Sequence, residues 1–530
     1  MPNDDQMLEQ VPGPRQWENW HETVSGTVAG IDKVHPPLEN PPYGSKTINR
    51  CTRQIQRSMA DAKQKGKAYR AVGRAWSLSD APLSDGVLLD ISVLIGKKKL
   101  RADQLDPGYK GNAEARNGLC LIQCGNYISE INAWLETKKG LSFKTTGAAN
   151  GQTIAGATAT GTHGSALDFG ALHDHIVAIH LLAGPEKQYW LERASYPVMK
   201  HSLPNSINAE LLRDDDVFNA VLVGLGAFGV IHNVVIEARP RFLLNAYNYD
   251  AANNKKLVFD AAMRQRIAHL DFSLNPDLDP PADPENPDGP DTGRPYFFQP
   301  IINPNTNPPE VLITQMHDKP WKTGHNPDYL MPAGKFGPGY DFVTVAGRAL
   351  DLFQSAVPLF AQLVAGQLFT LGRKSGSWGE QFGYKAHRTK VASGTVAVPL
   401  EHALATLDAL IDLNGDIGPV PLVFGCRYVK KSPALLAFNQ WETTFVISID
   451  GVYNNSALNF LEKIPEKMEA LGIPYSQHWG KTNGYNPQRI RATYGGNVDK
   501  WKAARARLLP DAEDRAMFEN AFMRRAGLAD

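Results

Sequence analysis

The chain has 530 residues, 42% of them hydrophobic and 21% charged, which is typical of a soluble globular protein with two or three domains. Basic and acidic residues number 55 each, so no net charge attracts a polyanion and we expect no nucleic-acid partner. No segment approaches ~18 consecutive apolar residues, so we expect no membrane span. The polar N-terminus does not resemble a secretory signal, which favours a cytoplasmic location.

Helical and extended patterns alternate over the first 140 residues. Residues 1–45 are rich in proline and are predicted to be irregular. Apolar positions at helical spacing predict helices over residues 48–62 and 128–139, which end at Gly66 and Gly140. Runs of Val, Leu and Ile predict strands at residues 68–72, 87–91 and 119–124. This alternation indicates an α/β or α+β domain.

Cysteine and histidine residues give no sign of a metal centre. Four cysteines are too few for a disulfide framework in a chain of this length. Cys120 and Cys124 lie in an apolar run, so we expect them to be buried strand residues without redox chemistry. His173 and His175 fit one edge of a strand better than a ligand set, and we expect no metal.

Residues 145–165, here called the second loop, consist almost entirely of Gly, Ala, Ser and Thr. A flexible linker is the alternative interpretation, but a linker would carry more charge and would lack Ile154 and His163. Small residues let the backbone approach a ligand closely and offer its N–H groups to phosphate oxygens. The first loop, residues 70–79, has a similar character because a strand leads into Gly73 and then into two serines.

The segment Gly224-Leu225-Gly226-Ala227-Phe228-Gly229 matches the dinucleotide fingerprint letter for letter. That motif needs a strand before the glycines and a helix after them. Here an acidic helix start at residues 214–216 precedes the glycines and a β-branched run follows them. The order is reversed, so we reject a nicotinamide-type Rossmann site.

After Pro240 the pattern changes to a second domain. Residues 274–308 are rich in Pro, Asp and Asn and are predicted to be an exposed loop. Alternating segments predict strands at residues 394–399, 420–428 and 443–452, with helices over 401–413 and 456–471. Apolar residues at 349–371 indicate core packing, or else a surface for a bulky apolar substrate.

The two loops, together with residues 223–231, resemble the FAD-binding domain of the vanillyl-alcohol-oxidase flavoprotein family, the PCMH type. Gly161-Thr162-His163-Gly164-Ser165 and His478-Trp479-Gly480-Lys481 resemble aldonolactone and alditol oxidases, and the length resembles type II cholesterol oxidases. The implied fold is α+β, with a two-subdomain FAD-binding domain and an antiparallel-sheet cap with flanking helices. The expected ranges are an N-terminal extension (1–44), the FAD-binding domain (45–240), the cap (241–472) and a returning C-terminal segment (473–530).

The resemblance also implies site residues. FAD would be held in the first loop by Val72, Gly73, Arg74, Ala75, Trp76 and Ser77. In the second loop the implied residues are Thr146, Gly147, Gly151, Ile154, Gly156, Ala157, Thr160, Gly161, His163, Gly164 and Ser165. Gly229, Val230 and Ile231 would lie near the adenine. The implied catalytic residues are His478, Lys481 and Arg427. The alternative for Lys481 is a solvated surface charge, and the alternative for Arg427 is a surface or structural ion pair. We expect Trp479 to be a packing residue.

Two departures from the family pattern affect the chemistry. Trp76 occupies the position where many relatives attach FAD through a histidine, so we expect non-covalent FAD, with attachment through His163 as a minor alternative. Gly425 stands where relatives carry the glutamate of a Glu-x-Arg pair, and this removes one candidate base. Either another residue, with His478 as the first choice, takes the hydroxyl proton, or the substrate is not a simple polyol.

The implied reaction is hydride transfer from a CH–OH group of an alcohol, polyol or lactone to FAD, with reoxidation by dioxygen or another acceptor. Three alternatives stay open. The substrate could be a sterol or another bulky apolar alcohol, the protein could be an FAD-dependent reductase with a nicotinamide donor, or it could bind flavin without turnover.

Overall fold

The computed structural model of the chain describes residues 7–37, 43–249, 257–272, 293–329, 375–382, 388 and 390–530. The apolar run at residues 349–371 lies outside these ranges. Four sheets, of four, six, two and seven strands, organise the described residues. None of the described helices is long and apolar enough to cross a membrane.

The residues up to Pro240 form the first three sheets and the helices that pack on them. The strands are β1 (Leu8–Glu18), β2 (Ser25–Val34), β3 (Tyr69–Val72), β4 (Val87–Asp90), β5 (Lys97–Lys99), β6 (Leu119–Gln123), β7 (Leu141–Ser142), β8 (Ile176–Leu182), β9 (Gln188–Glu192), β10 (Glu210–Arg213), β11 (Val230–Glu237) and β12 (Arg239–Pro240). The helices are α1 (Ser45–Gln64), α2 (Ala113–Gly118), α3 (Ile128–Trp134), α4 (Ile154–Thr160), α5 (Ser202–Ser206) and α6 (Asp215–Leu222). A single π-helical segment, Leu135–Lys139, continues α3.

The later residues form the large sheet and the remaining helices. The strands are β13 (Phe242–Tyr249), β14 (Phe297–Asn303), β15 (Glu310–Pro320), β16 (Ser375–Ser377), β17 (Val391–Pro399), β18 (Leu422–Lys430) and β19 (Thr443–Val452). The helices are α7 (Ala261–His269), α8 (Trp378–Gln381), α9 (Ala403–Ile417), α10 (Asn455–Ala470), α11 (Pro487–Tyr494), α12 (Asn497–Leu508), α13 (Ala512–Met517) and α14 (Ala521–Arg525).

The expectation of an irregular N-terminus is wrong, because β1 and β2 belong to the first sheet. β2 pairs in parallel with β4, and every second residue from Val28 to Val34 is buried. The register of the β1–β2 pair shifts between Pro12 and Arg15, so the prolines lie in an irregularity of an edge strand, where they remove no required N–H donor. Proline content therefore concealed a strand.

The glycine-rich turn at residues 224–229 connects a helix to a strand. α6 comes before it, capped by the Asp214 carboxylate, which accepts from the N–H of Val217 at 3.0 Å. β11 follows it and pairs with β8 and β6 in the centre of the second sheet. This order confirms the sequence argument against a nicotinamide-type fingerprint.

The large sheet confirms the predicted antiparallel cap, with one correction. The loop predicted for residues 274–308 is wrong at its C-terminal end, because Phe297–Asn303 form the fully buried strand β14 between β15 and β18. The apolar run Tyr296–Phe298 and Ile301–Ile302 explains the strand, which the surrounding prolines obscured. Residues 274–292 of that predicted loop lie outside the described ranges.

The two faces of the cap sheet differ in polarity. One face carries apolar side chains packed with α7, α9 and α10 into a core that includes Phe424, Cys426, Phe445, Ile447 and Ile449. The intervening residues point to the opposite face, here called the site face, because alternate side chains in a strand project to opposite sides. On this face, residues of β19 lie opposite residues of the two neighbouring strands. Asp450 lies opposite Ser393 of β17 and Val423 of β18, and Ser448 lies opposite Thr395 and Gly425. Val446 lies opposite Arg427 of β18.

The fully buried side chain of Ile447 makes a direct test of the cap core. We expect Ile447→Ala to lower the free energy of unfolding by about 2–5 kcal/mol, because it leaves a cavity between the sheet and its helices. Chemical denaturation followed by fluorescence measures this change. The exposed neighbour Glu442 provides the control, since Glu442→Ala should change stability by less than about 0.5 kcal/mol.

Candidate functional site

The first and second loops lie against each other, and glycine makes this approach possible. A Cβ atom on Gly73 would lie 2.2 Å from the Thr153 hydroxyl oxygen, and one on Gly151 would lie 2.4 Å from the Trp76 ring. Real Cβ atoms do not approach other atoms so closely, so any side chain at either position would separate the loops. Thr153 also caps α4, so this packing positions the start of that helix.

The turn between β1 and β2 holds the first loop, a role that the sequence did not predict. The N–H of Trp20 donates to the Ala75 carbonyl at 2.7 Å, and the Asn19 amide donates to the Ser77 carbonyl at 2.9 Å. The Trp20 and Trp76 rings stack with centroids 5.8 Å apart. Ala75 has a φ of +53°, which is unusual for a residue with a side chain, and the hydrogen bond from Trp20 stabilises it.

The two loops offer hydrogen-bond donors that the rest of the described chain does not use. None of the backbone N–H groups at residues 74–77 or 147–151 donates to an acceptor within the described ranges. Buried oxygens of Thr145, Asn150 and Gln152 also lack partners there. Free amides at a close junction of two glycine-bearing loops fit the pyrophosphate and hydroxyl groups of a dinucleotide.

The cap supports the second loop from outside. The Trp378 indole donates to the Thr146 hydroxyl at 2.9 Å, and the Asn150 amide donates to the Phe382 carbonyl. Ser165 bridges two cap strands, since its hydroxyl donates to the Phe298 carbonyl at 2.5 Å and accepts from the Tyr428 N–H at 3.2 Å. The Ser165 carbonyl also accepts from the Phe298 N–H at 3.3 Å, so both oxygens of Ser165 are engaged by the cap.

Residues 476–482, here called the return segment, connect the first loop to the cap. The Ser79 hydroxyl donates to the Trp479 carbonyl at 2.7 Å, and the Leu78 N–H donates to the Gly480 carbonyl at 2.8 Å. On the other side, the Thr482 N–H donates to the Ser393 carbonyl of β17 at 3.0 Å. Trp479 is fully buried, as expected for a packing residue, and its indole donates to the Leu436 carbonyl.

His163 of the second loop and His478 of the return segment lie next to each other. Their ring centroids are 5.6 Å apart. The ring centroid of Phe438 lies 4.7 Å from that of His163 and 5.7 Å from that of His478. Burial, with the nearby cations of Lys481 and Arg427, lowers the pKa of His478 to about 3. Burial and Arg427 lower the pKa of His163 well below its ordinary value. Both imidazoles are therefore neutral at neutral pH.

The hydrogen bonds of His478 bear on its expected role as a base. Its Nδ1 atom accepts from the Gly480 N–H at 3.0 Å, which places the proton of the neutral ring on Nε2. The ring also hydrogen-bonds the backbone of Gly161. Neither nitrogen is left to take a proton from a substrate, so this geometry favours a positioning role.

Lys481 is not a solvated surface charge. Its ammonium donates to Asp450 Oδ1 at 2.9 Å and to the Ser448 hydroxyl at 3.1 Å. The Arg427 Nε atom is buried and has no hydrogen-bond partner among the described residues. Burial lowers the pKa of both Lys481 and Arg427, and the Asp450 carboxylate opposes that effect.

Asp450, Ser448, Asn19 and Trp20 are site residues that the sequence argument missed. Burial alone would raise the pKa of Asp450, but Lys481, a hydrogen bond from Ser393, and Arg427 outweigh it and lower the value. A signal for Ser448 and Asp450 did exist, since they are the polar alternate positions of an otherwise apolar strand.

The remaining predicted cofactor residues fall into three places. In the first loop, Val72 is the last residue of β3, and Gly73 to Ser77 follow the strand directly. Ile154, Gly156, Ala157 and Thr160 lie in α4, with Gly161 in the left-handed conformation as its C-cap and Gly164 packed on the Thr146 carbonyl. Val230 and Ile231 begin β11 and pair with β8, and Gly229 comes directly before them. Within the described chain, none of the three makes a hydrogen bond to either loop. No group of three or more described His, Cys, Asp or Glu residues is placed to hold a metal ion.

Comparison with known proteins finds related chains that match over most of this chain's length. Residues 49–190 match the FAD binding domain family. The L-gulono-1,4-lactone dehydrogenase of Mycobacterium tuberculosis (strain H37Rv) is 24% identical over 476 residues, which cover 88% of this chain and 92% of that protein. The L-gulonolactone oxidase of Mus musculus is 28% identical over 191 residues, 36% of each chain. The solved structure of cholesterol oxidase from B. sterolicum has a TM-score of 0.65 at 15% identity and covers 98% of this chain and 97% of its own.

The chain therefore carries an FAD-binding domain joined to a sheet-rich cap, as the sequence predicted. It is an FAD-dependent oxidoreductase.

The Asn19 side chain makes a test of the first loop. We expect Asn19→Ala to raise the dissociation constant for FAD roughly tenfold, because the loss of its bond to Ser77 loosens the loop. Titration of the apoprotein with FAD, followed by flavin fluorescence, measures this constant. Gln16→Ala removes a comparable bond to Thr27 on the exposed face of the edge strand and should leave the affinity unchanged. An Asn19→Ala affinity within twofold of the wild-type value would contradict the expectation.

Proposed function

We propose that this enzyme oxidises a CH–OH group of a small polyhydroxylated substrate, a polyol or a sugar lactone. The observation that carries the proposal is the polar site face of the cap sheet, where Arg427, Ser448 and Asp450 lie close to His163 of the second loop and Lys481 of the return segment. Hydroxyl-rich substrates need such donors and acceptors. The lactone dehydrogenase and lactone oxidase names of the relatives support the same substrate class.

Bound FAD would be the hydride acceptor. The protein residues would bind and orient the substrate and stabilise the charge that develops. Arg427 and Lys481 provide two positive charges against the single negative charge of Asp450, while His163 and His478 are neutral. The excess positive charge would stabilise negative charge that develops on the cofactor side during oxidation. Catalytic roles for Arg427 and Lys481 rest on this arrangement.

FAD would be held by the free amides of the first and second loops and by the small residues from Gly147 to Gly164. Val230 and Ile231 would contribute packing close to the adenine. We further propose that the cofactor is not covalently attached, because the indole of Trp76, stacked on Trp20, stands where a histidine would be needed.

The other candidate functions have less support. A sterol substrate would meet a site face with Ser393, Thr395 and Asp450 where an apolar surface is needed. A nicotinamide-dependent reductase would need a donor site that the reversed order at residues 224–229 does not provide. Reoxidation by dioxygen or another acceptor stays a prediction. A cytoplasmic location stays a prediction as well.

Anaerobic bleaching of the bound flavin tests the proposed function. We expect L-gulono-1,4-lactone or a polyol such as xylitol to bleach the absorbance of the oxidised flavin at roughly 450 nm. Each of these compounds presents several hydroxyls to the polar site face. Cholesterol and NADPH, added separately, should bleach it at least about tenfold more slowly. Bleaching by NADPH alone would indicate a reductase, and bleaching by none of them would indicate a flavin-binding protein without turnover.

Acid precipitation tests how the cofactor is attached. Since Trp76 offers no nucleophile, we expect the yellow colour to leave the protein and FAD to appear in the supernatant. A Trp76→His variant is the matched comparison, because it alone could form a histidyl bond at this position. A yellow pellet from the wild-type protein would refute non-covalent binding.

A further inference from the structure

We propose that Asp450 accepts the proton of the substrate hydroxyl and that Lys481 orients this carboxylate for the task. This inference rests on the proposed oxidation of a CH–OH group. It assigns the base to a strand of the cap sheet next to the one that carries Arg427, and to a residue for which the chain's sequence pattern gave no role.

The position of Asp450 comes from the register of the cap sheet. It lies opposite Val423 on β18 and opposite Ser393 on β17, so its side chain projects from the site face with theirs. Arg427 lies further along the same face, and the negative charge of Asp450 raises the pKa of Arg427 against the effect of burial. Asp450 therefore shares the site with the cations proposed for catalysis.

The hydrogen bonds of Asp450 leave one oxygen available. Lys481 Nζ donates to Oδ1 at 2.9 Å, and the Ser393 hydroxyl donates to the same atom. Oδ2 has no hydrogen-bond partner among the described residues. The Asp450 side chain is 39% exposed to solvent, so a ligand can reach this oxygen. A carboxylate held through one oxygen, with the other oxygen free at the accessible site face, is arranged to accept a hydrogen bond from a hydroxyl.

Other groups at the site are poorly placed to be the base. Both ring nitrogens of His478 are engaged by backbone groups. His163 hydrogen-bonds the Gly164 carbonyl through Nδ1, and burial with the adjacent Arg427 lowers its pKa well below the ordinary value. Position 425 on β18 is a glycine and has no carboxylate. Asp450 is thus the anionic acceptor that the described site contains.

The proposed step is balanced in atoms and electrons. The substrate C–H bond breaks and its hydrogen leaves with both electrons as hydride to FAD, which is reduced. The O–H bond breaks, its electron pair forms the second bond of the C=O group, and the proton passes to Asp450 Oδ2. As hydride leaves, the hydroxyl becomes that of a protonated carbonyl, a much stronger acid than any carboxylic acid. A carboxylate with a lowered pKa is therefore a sufficient base.

The charges around Asp450 predict the pH dependence. Lys481 and Arg427 face it, with the neutral His478 and His163 next to those cations. The lowered pKa of Asp450 means that the carboxylate is ionised down to acidic pH, so flavin reduction should show no acid limb above pH ~5. Lys481→Met removes the cation that counters burial, so the Asp450 pKa should rise and the acid limb of flavin reduction should move to higher pH.

The main test uses holoenzyme variants in anaerobic stopped-flow reduction by L-gulono-1,4-lactone and xylitol. We expect Asp450→Asn to retain FAD and to reduce at least ~100-fold more slowly, because the amide cannot take the proton. Calorimetric binding of the same compounds to photoreduced enzyme should change by less than about threefold. Acetate should accelerate Asp450→Ala at least ~10-fold, a rescue that a purely structural role would not show. Asp408→Asn is the matched control, because this carboxylate of α9 is also paired with a cation, Arg264 of α7, but lies on the opposite side of the cap sheet from the site face.

The outcomes separate this inference from the proposed function. If neither compound bleaches the wild-type flavin, the proposed function fails. If the wild type is bleached but Asp450→Asn reduces within threefold of its rate, only the assignment of Asp450 fails. Should Asp450→Asn lose FAD or fail to fold, the Lys481→Met profile decides, and an acid limb that does not move overturns the inference.

Discussion

The site depends on the hydrogen bonds that the return segment makes to both sides. Its carbonyls at Trp479 and Gly480 accept from the first loop at 2.7 and 2.8 Å, and its N–H at Thr482 donates to the cap at 3.0 Å. Buried backbone groups must find partners, so this stretch cannot leave either side without cost. His478 and Lys481 are thereby fixed between the loops and the cap sheet, in positions that neither side would provide alone.

The same constraint explains the electrostatics. Burial disfavours every charge at the site, and it is the largest influence on the pKa of His478, Lys481 and Arg427. The histidines respond by staying neutral, whereas Lys481 stays charged because it contacts Asp450 directly. Lys481 is thus a cation whose charge is compensated by Asp450. Arg427 is a second cation, and its buried Nε atom has no hydrogen-bond partner among the described residues. An unsatisfied donor of this kind is tolerated where a ligand completes it, which is why Arg427 points to function more than to stability.

Sequence patterns predicted the elements well where periodicity was clear. The helix over residues 48–62, the strands of the cap and the reversed order around Gly224 all follow from side-chain spacing. Proline misled twice, because prolines at an edge-strand irregularity and around β14 look like loop signals when pairing partners are unknown. Asp450 illustrates the limit for the site. Its strand and its face were predictable, but its contact with Lys481 joins residues 31 apart in sequence, and only the folded register brings them together.

The cap supports the second loop directly and is not an independent lid. Trp378 and Phe382 of the cap hold Thr146 and Asn150 of the second loop, and the buried Glu136 of the first domain accepts from Ser377 at 2.6 Å. Since Ser377 begins the helix that carries Trp378, the position of the cap fixes the shape of the loop. The geometry of the site face is therefore coupled to that of the second loop. A change on the site face would therefore also affect the second loop.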